Sequence, residues 1–227
     1  MAIKTQYKDI GTIDYKEAWE YQEKLFDEIL SGKKNGQVPN NYLLFCEHPH
    51  VYTLGKSGQQ NNLLIDPGFL KKIQATYYKI NRGGDITYHG PGQIVGYPII
   101  DLEQFGMQVR KYIHRLEESV MATLKEYNIN SSRLDGATGV WLDADEPGKS
   151  RKICAIGVRA SHFVTMHGFA FNVNTDLNYF NYINPCGFQD KGVTSMQREL
   201  AREMDIKQVK GVLKKHLAHY LNMEFIK

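Results

Sequence analysis

Apolar residues recur at helical spacing in two long segments. Over residues 14–31 they fall at Ala18, Trp19, Leu25, Phe26, Ile29 and Leu30, with Asp14 placed to cap the helix and Gly32 to end it. Over residues 108–127 the stripe is Val109, Tyr112, Ile113, Leu116, Val120, Leu124 and Tyr127, with charges opposite. Two further helices are predicted at 195–204 and 206–221, the second opened by Asp205 and Gln208 spaced as a capping-box variant.

Between the helices the period shortens. Residues 42–46 are an apolar run of strand length, and Pro49 in Glu47-His48-Pro49-His50 stops any helix there. Residues 76–80 read as another strand. Residues 93–102 carry Ile94, Val95, Tyr97, Ile99 and Ile100, with Pro98 among them predicting an edge position or a bulge. Residues 152–158 and 163–173 are β-rich and closely joined, which predicts a hairpin. Residues 55–62, 131–139, 143–150 and 174–193 read as loops. Strands and helices mix without strict alternation, so the predicted fold is α+β, a mixed and largely antiparallel sheet with flanking helices. Residues 1–227 read as a single domain in which 195–227 is a C-terminal helical segment, and the weakest point along the chain is near 193–195.

Composition narrows the class. Of 227 residues 42% are hydrophobic and 23% charged, which is globular rather than disordered. Lys plus Arg exceed the acidic residues by 28 to 25, and a net charge of +3 is too mild for nucleic acid, though it suits an acidic protein partner at close range. No apolar run approaches the roughly 18–20 residues of a membrane span. The first residues lack the apolar stretch of a signal peptide, so a cytoplasmic location is expected. Three widely spaced cysteines, Cys46, Cys154 and Cys186, argue against a disulfide framework, so each is buried filler or a working thiol.

Two spacings are decoys. Gly55-Lys56-Ser57 and Gly148-Lys149-Ser150 look like the end of a phosphate-binding loop, but His50 and Asp143 stand where that loop needs its first glycine. Cys46-x-His48-x-His50 suggests a metal site, yet His50 lies beyond a proline and no second Cys pair completes a shell; surface or loop histidines at a strand end are the better reading. His162 and His167 are equally weak as ligands. No metal is expected.

The densest chemistry lies in Arg82-Gly83-Gly84-Asp85-Ile86-Thr87-Tyr88-His89-Gly90-Pro91-Gly92-Gln93. Its glycines let backbone approach a ligand closely, and Arg82, Thr87, Tyr88 and His89 add donors and aromatic surface. Taken alone, the segment is either a ligand-approach loop or a glycine-rich hairpin corner. Its Arg-Gly-Gly-x-x-Thr-Tyr-His-Gly-Pro-Gly-Gln pattern resembles the signature of the octanoyltransferases of protein lipoylation. Glu47-His48-Pro49 with Tyr52-Thr53-Leu54-Gly55, Lys152-Ile153-Cys154-Ala155-Ile156-Gly157, His167-Gly168-Phe169-Ala170-Phe171-Asn172 and Pro185-Cys186-Gly187 fit as well, so the resemblance runs from about residue 43 to 197.

That resemblance implies a fold like the catalytic domain of biotin and lipoate protein ligases. It implies an enzyme that takes octanoyl from octanoyl-acyl carrier protein to a lysine of lipoyl domains, those of 2-oxoacid dehydrogenases and the glycine cleavage H protein. Cys186 is then the acyl-thioester nucleophile and Lys152 its partner. The substrate contacts are Arg82, Gly83, Gly84, Asp85, Ile86, Thr87, Tyr88 and His89, then Ala155, Ile156 and Gly157, then Gly168, Phe169 and Ala170. Asp85 and Ile86 sit at variable positions of the signature, so only their backbone is carried over. Without the resemblance, Cys186 reads as filler and Lys152 as a solvated charge.

The chemistry suits these residue types. A free thiol with pKa about 8.5 is mostly protonated at neutral pH, and a nearby ammonium favours the thiolate. A thioester is already activated, so no cofactor, neither ATP nor a metal, is expected. The rivals are an ATP-dependent lipoate or biotin ligase, which needs no nucleophilic Cys, a Cys-based acyltransferase that moves octanoyl between lipoyl domains, and a non-catalytic acyl-carrier-binding module, which needs neither Cys186 nor Lys152.

Overall fold

Asp14 caps the first helix as its spacing predicts, accepting from the Lys16 N–H at 2.8 Å. The computed structural model describes residues 2–146, 148–184 and 191–226. Helix α1 (Tyr15–Lys34) runs past Gly32 to a C-cap at Asn35. The chain folds back after the helix, with the Gln37 N–H donating to the Gly32 carbonyl. A short helix α2 (Pro67–Lys72), capped by Asp66, lies outside the predicted set. Helix α3 (Val109–Glu126) buries Tyr112, Leu116, Val120 and Leu124 from the predicted stripe. Helix α4 (Met196–Leu200) stops short of residue 204 because Ala201 turns left-handed at φ 51°. Helix α5 (Ile206–Leu221) opens on Asp205, which accepts from the Lys207 and Gln208 N–H groups.

The strands are β1 (Ile3–Thr12), β2 (Tyr42–Glu47), β3 (Val51–Leu54), β4 (Thr76–Lys79), β5 (Ile86–His89) and β6 (Gln93–Ile99). After α3 come β7 (Ser132–Leu134), β8 (Ala137–Leu142), β9 (Arg151–Ser161), β10 (Val164–Asn172), β11 (Gly192–Val193) and β12 (Met223–Ile226). The main sheet has the order β12-β1-β2-β6-β10-β9-β8-β7, with β11 pairing β9, and a small sheet has the order β4-β3-β5. β1 runs parallel to β12 and β2, and β11 to β9; every other pair in the main sheet is antiparallel. This is the predicted α+β class.

The apolar run of β2 reflects cover on both faces. Leu43 and Phe45 join the cluster under α3 and α5, whereas Tyr42, Leu44 and Cys46 join that under α1. Val209, Leu213, Leu217 and Leu221 of α5 share the first cluster, and β12 lies beside β1, so the 195–227 stretch ends in a strand. Lys210 Nζ reaches the Asp9 carboxylate at 3.0 Å across the same junction.

Pro98 sits on a central strand, between β2 and β10, not at an edge. It is tolerated because the β10 ladder ends at Gly96, and the side that lacks its N–H meets a side chain, Thr165 Oγ1, which donates to the Pro98 carbonyl at 2.9 Å. The 131–139 loop contains β7 and the start of β8, and 174–193 contains a 3₁₀ turn (Leu177–Tyr182) and β11. The predicted hairpin is β9–β10, closed by His162 and Phe163 at φ 48° and 63°. Among the described residues no helix is long and apolar enough to cross a membrane.

Candidate functional site

Loop-on-strand contact creates the site. Arg82, between β4 and β5, donates from Nη2 to the Thr53 carbonyl at 2.7 Å and to Thr53 Oγ1 at 3.0 Å, which fastens the signature segment to β3. The Gly83 N–H donates to the Val158 carbonyl of β9 at 2.9 Å. Gly157 makes that approach possible, since a Cβ there would lie 2.9 Å from the Gly83 oxygen. On the other side Gly55, Lys56 and Ser57 donate backbone hydrogen bonds to Asp85, Arg82 and Gly84. The Gly-Lys-Ser sequence therefore clamps a protein loop rather than a phosphate.

The result is a cavity of about 320 Å³ between the signature segment and the β9–β10 surface. Arg82, Gly84, Asp85, Ile86, Thr87 and His89 line one wall. Ala155, Ile156 and Gly157 of β9 and Gly168, Phe169 and Ala170 of β10 line the facing wall, and Lys152 lies on the same surface. Two predicted contacts do not reach it. Gly83 is turned onto β9, and Tyr88 is fully buried behind the wall, bonded through its hydroxyl to His50 Nδ1 at 2.7 Å and stacked on Tyr179.

His89 is held on both nitrogens. Gln93 donates to Asn172 Oδ1 and the Tyr88 carbonyl, which turns its Oε1 to His89 Nδ1 at 2.8 Å. The proton is thus on Nδ1, and Nε2 accepts from Thr53 Oγ1 at 3.4 Å. Burial, then the neighbouring His48, pushes its pKa well below the usual histidine value, so the ring is neutral. Its stacking on Tyr15 at 5.8 Å makes it part of the scaffold.

Tyr15, Val95, Tyr97 and His167 also line the cavity, and of these only His167 stands in a motif quoted for the resemblance. Tyr97 donates to His48 Nε2 at 2.7 Å, while His48 Nδ1 donates to the Ile13 carbonyl. His48 is fully buried, not a surface histidine, and burial lowers its pKa to about 4. His167 Nε2 meets Asn81 Oδ1 at 3.0 Å, and burial, then Arg82, lowers its pKa to about 3. Cys46 Sγ does come within 3.4 Å of His48, but His50 turns to Tyr88, and among the described residues no group of three ligands could hold a metal. Cys46 and Cys154 are completely buried, and burial raises both thiols above the usual range.

Lys152 stands between two strands. Its Cα partner on β8 is Trp141 and on β11 is Val193. The Thr194 N–H donates to the Lys152 carbonyl at 2.9 Å. Lys191, Gly192 and Val193 line the cavity, and Lys191 follows Cys186 by five residues in the sequence. On the preceding side, the Asn184 N–H donates to the Asn62 carbonyl, and Tyr52 donates to that of Tyr179. Cys186 itself lies outside the described residues.

This architecture is that of lipoate- and biotin-ligase catalytic domains. The bipartite lipoate protein ligase of Thermoplasma acidophilum superposes with a TM-score of 0.73 at 14% identity, covering 99% of this chain and 86% of that one. Biotin protein ligase from Aquifex aeolicus gives 0.54 at 14%, covering 95% and 70%. Residues 14–218 match the lipoyl protein ligase A/B catalytic domain model, and an octanoyltransferase of Flavobacterium johnsoniae is 56% identical over the whole of both chains. The chain belongs to the lipoyl protein ligase A/B catalytic-domain family and, within it, to the octanoyltransferases.

Proposed function

We propose that this chain takes octanoyl from octanoyl-acyl carrier protein to a lysine of lipoyl domains through a thioester on Cys186, with Lys152 as proton partner. The observation that carries the reading is the cavity. Its walls are the Arg82–His89 segment and the 155–157 and 168–170 strand positions, and Lys152 lines it beside Val193 of β11.

The two steps balance around Lys152. The Cys186 thiolate attacks the donor carbonyl, and the carrier sulfur leaves with a proton from the Lys152 ammonium, which becomes neutral. The acceptor amine then attacks the octanoyl thioester, Lys152 takes its proton, and the Cys186 thiolate leaves from the amide product. His89 is the weaker base because both its nitrogens are engaged. Backbone N–H groups at 155–157 or beside Cys186 are the proposed donors to the tetrahedral oxygen. Burial of the chain contributes about 0.8 kcal/mol per methylene, which favours octanoyl over shorter groups. The reading requires neither nucleotide nor metal. It assigns the reaction to the cytoplasm, where a nucleophilic thiol stays reduced. The acceptors it names are the lipoyl domains of 2-oxoacid dehydrogenases and the glycine cleavage H protein.

The test is intact mass after incubation with octanoyl-acyl carrier protein and no ATP. A single octanoyl adduct, cleaved by hydroxylamine and mapped to Cys186, is the expected result. No adduct, with acylation of a lipoyl domain only when ATP and free acid are supplied, makes the chain a ligase instead.

A further inference from the structure

Trp141 belongs to no motif that suggested the site, yet it stands directly across from Lys152 on β8. The residue is 2% exposed and lines the cavity. The indole N–H donates to the Ala137 carbonyl at 2.9 Å, which fixes the plane of the ring. Lys152 Nζ lies 4.6 Å from the ring centroid, inside the range of a cation–π contact.

The β8 backbone is shaped to permit this. Gly139, two residues before Trp141, has φ 124°, and a Cβ there would meet the Cys154 carbonyl at 2.5 Å and Lys152 Cε at 3.4 Å. The lysine stem thus lies across a position that only glycine leaves open. Glu117 of α3 holds that position from behind: its Oε1 accepts from the Gly139 N–H at 3.0 Å and its Oε2 from Arg133 Nε at 2.7 Å.

We infer that Trp141 is a positioning residue that holds the Lys152 ammonium at the cavity wall through its π face. The inference rests on the proposed role of Lys152 as the partner of Cys186. A ring quadrupole favours the ammonium over the neutral amine, and the charged form is the one that stabilises the thiolate before acylation. Trp141 therefore acts on Cys186 only through Lys152.

The test is the pH dependence of Cys186 alkylation by iodoacetamide, mapped by peptide, in wild type, Trp141→Phe, Trp141→Leu, Lys152→Ala and the Trp141→Leu/Lys152→Ala pair. Trp141→Leu is expected to raise the alkylation midpoint by about one pH unit, with Trp141→Phe remaining close to wild type. In the double variant the midpoint should equal that of Lys152→Ala alone. A Trp141→Leu midpoint equal to wild type, or a shift that persists without Lys152, overturns the inference while leaving the Lys152 role intact. A wild-type midpoint equal to that of Lys152→Ala instead overturns the proposed Lys152–Cys186 partnership itself.

Discussion

At the residue scale the proposed chemistry depends on one thiol, one ammonium and a set of neutral rings. Lys152→Ala is expected to reduce octanoyl transfer by at least about a hundredfold, since general acid–base contributions run to about 10²–10⁴. Steady-state transfer to a lipoyl domain measures it, and unchanged turnover contradicts the role. The buried histidines make a separate prediction about stability. His48 and His167 have folded pKa values of about 4 and about 3, below the roughly 6.5 of an unfolded chain. The unfolded state therefore binds protons first as pH falls, so the stability they confer is complete above about 6.5 and is lost towards 3–4. Between pH 7.5 and 5.5 each ring should cost roughly 1 kcal/mol, read by urea unfolding. Equal stability at the two pH values would show that these rings are not buried neutral.

At the element scale the site is made where the signature segment lies on β9. Gly157→Ala places a Cβ 2.9 Å from the Gly83 carbonyl, a backbone atom that cannot swing aside, and 3.2 Å from Arg82 Cδ. The expected result is a loss of roughly 1–3 kcal/mol in stability and a raised KM for the acyl donor. An unchanged KM would mean that the segment does not bind the acyl group. The signature was legible because its glycines and polar residues are contiguous. Helices α1, α3 and α5 were legible because each carries an apolar stripe. β1 was not, since Thr5 is its one fully buried position and Lys4, Lys8 and Asp9 are exposed, nor was β12, which is four residues long. Pro98 misled for a related reason: a proline reports a missing N–H, but not on which side of the strand the ladder has already ended.

At the scale of the whole molecule, β1 and β12 bring the two ends of the chain together, and α5 shares the α3 core. We propose that residues 1–227 unfold as one unit despite the weak point near 193–195. Calorimetry should show a single transition whose calorimetric and van't Hoff enthalpies agree, and two transitions would separate the C-terminal segment. The sequence by itself determined the α+β class, the capped helices, the glycine-rich segment and the residue types of the proposed reaction, because periodicity, capping and contiguous motifs are local. Only the tertiary structure decided that Gly83 is bonded to β9 and Tyr88 is buried behind the cavity wall, that His48 and His89 are buried neutral rings, and that Trp141 lies against Lys152. Those facts depend on strand register and on contacts between distant segments, and no local pattern encodes either.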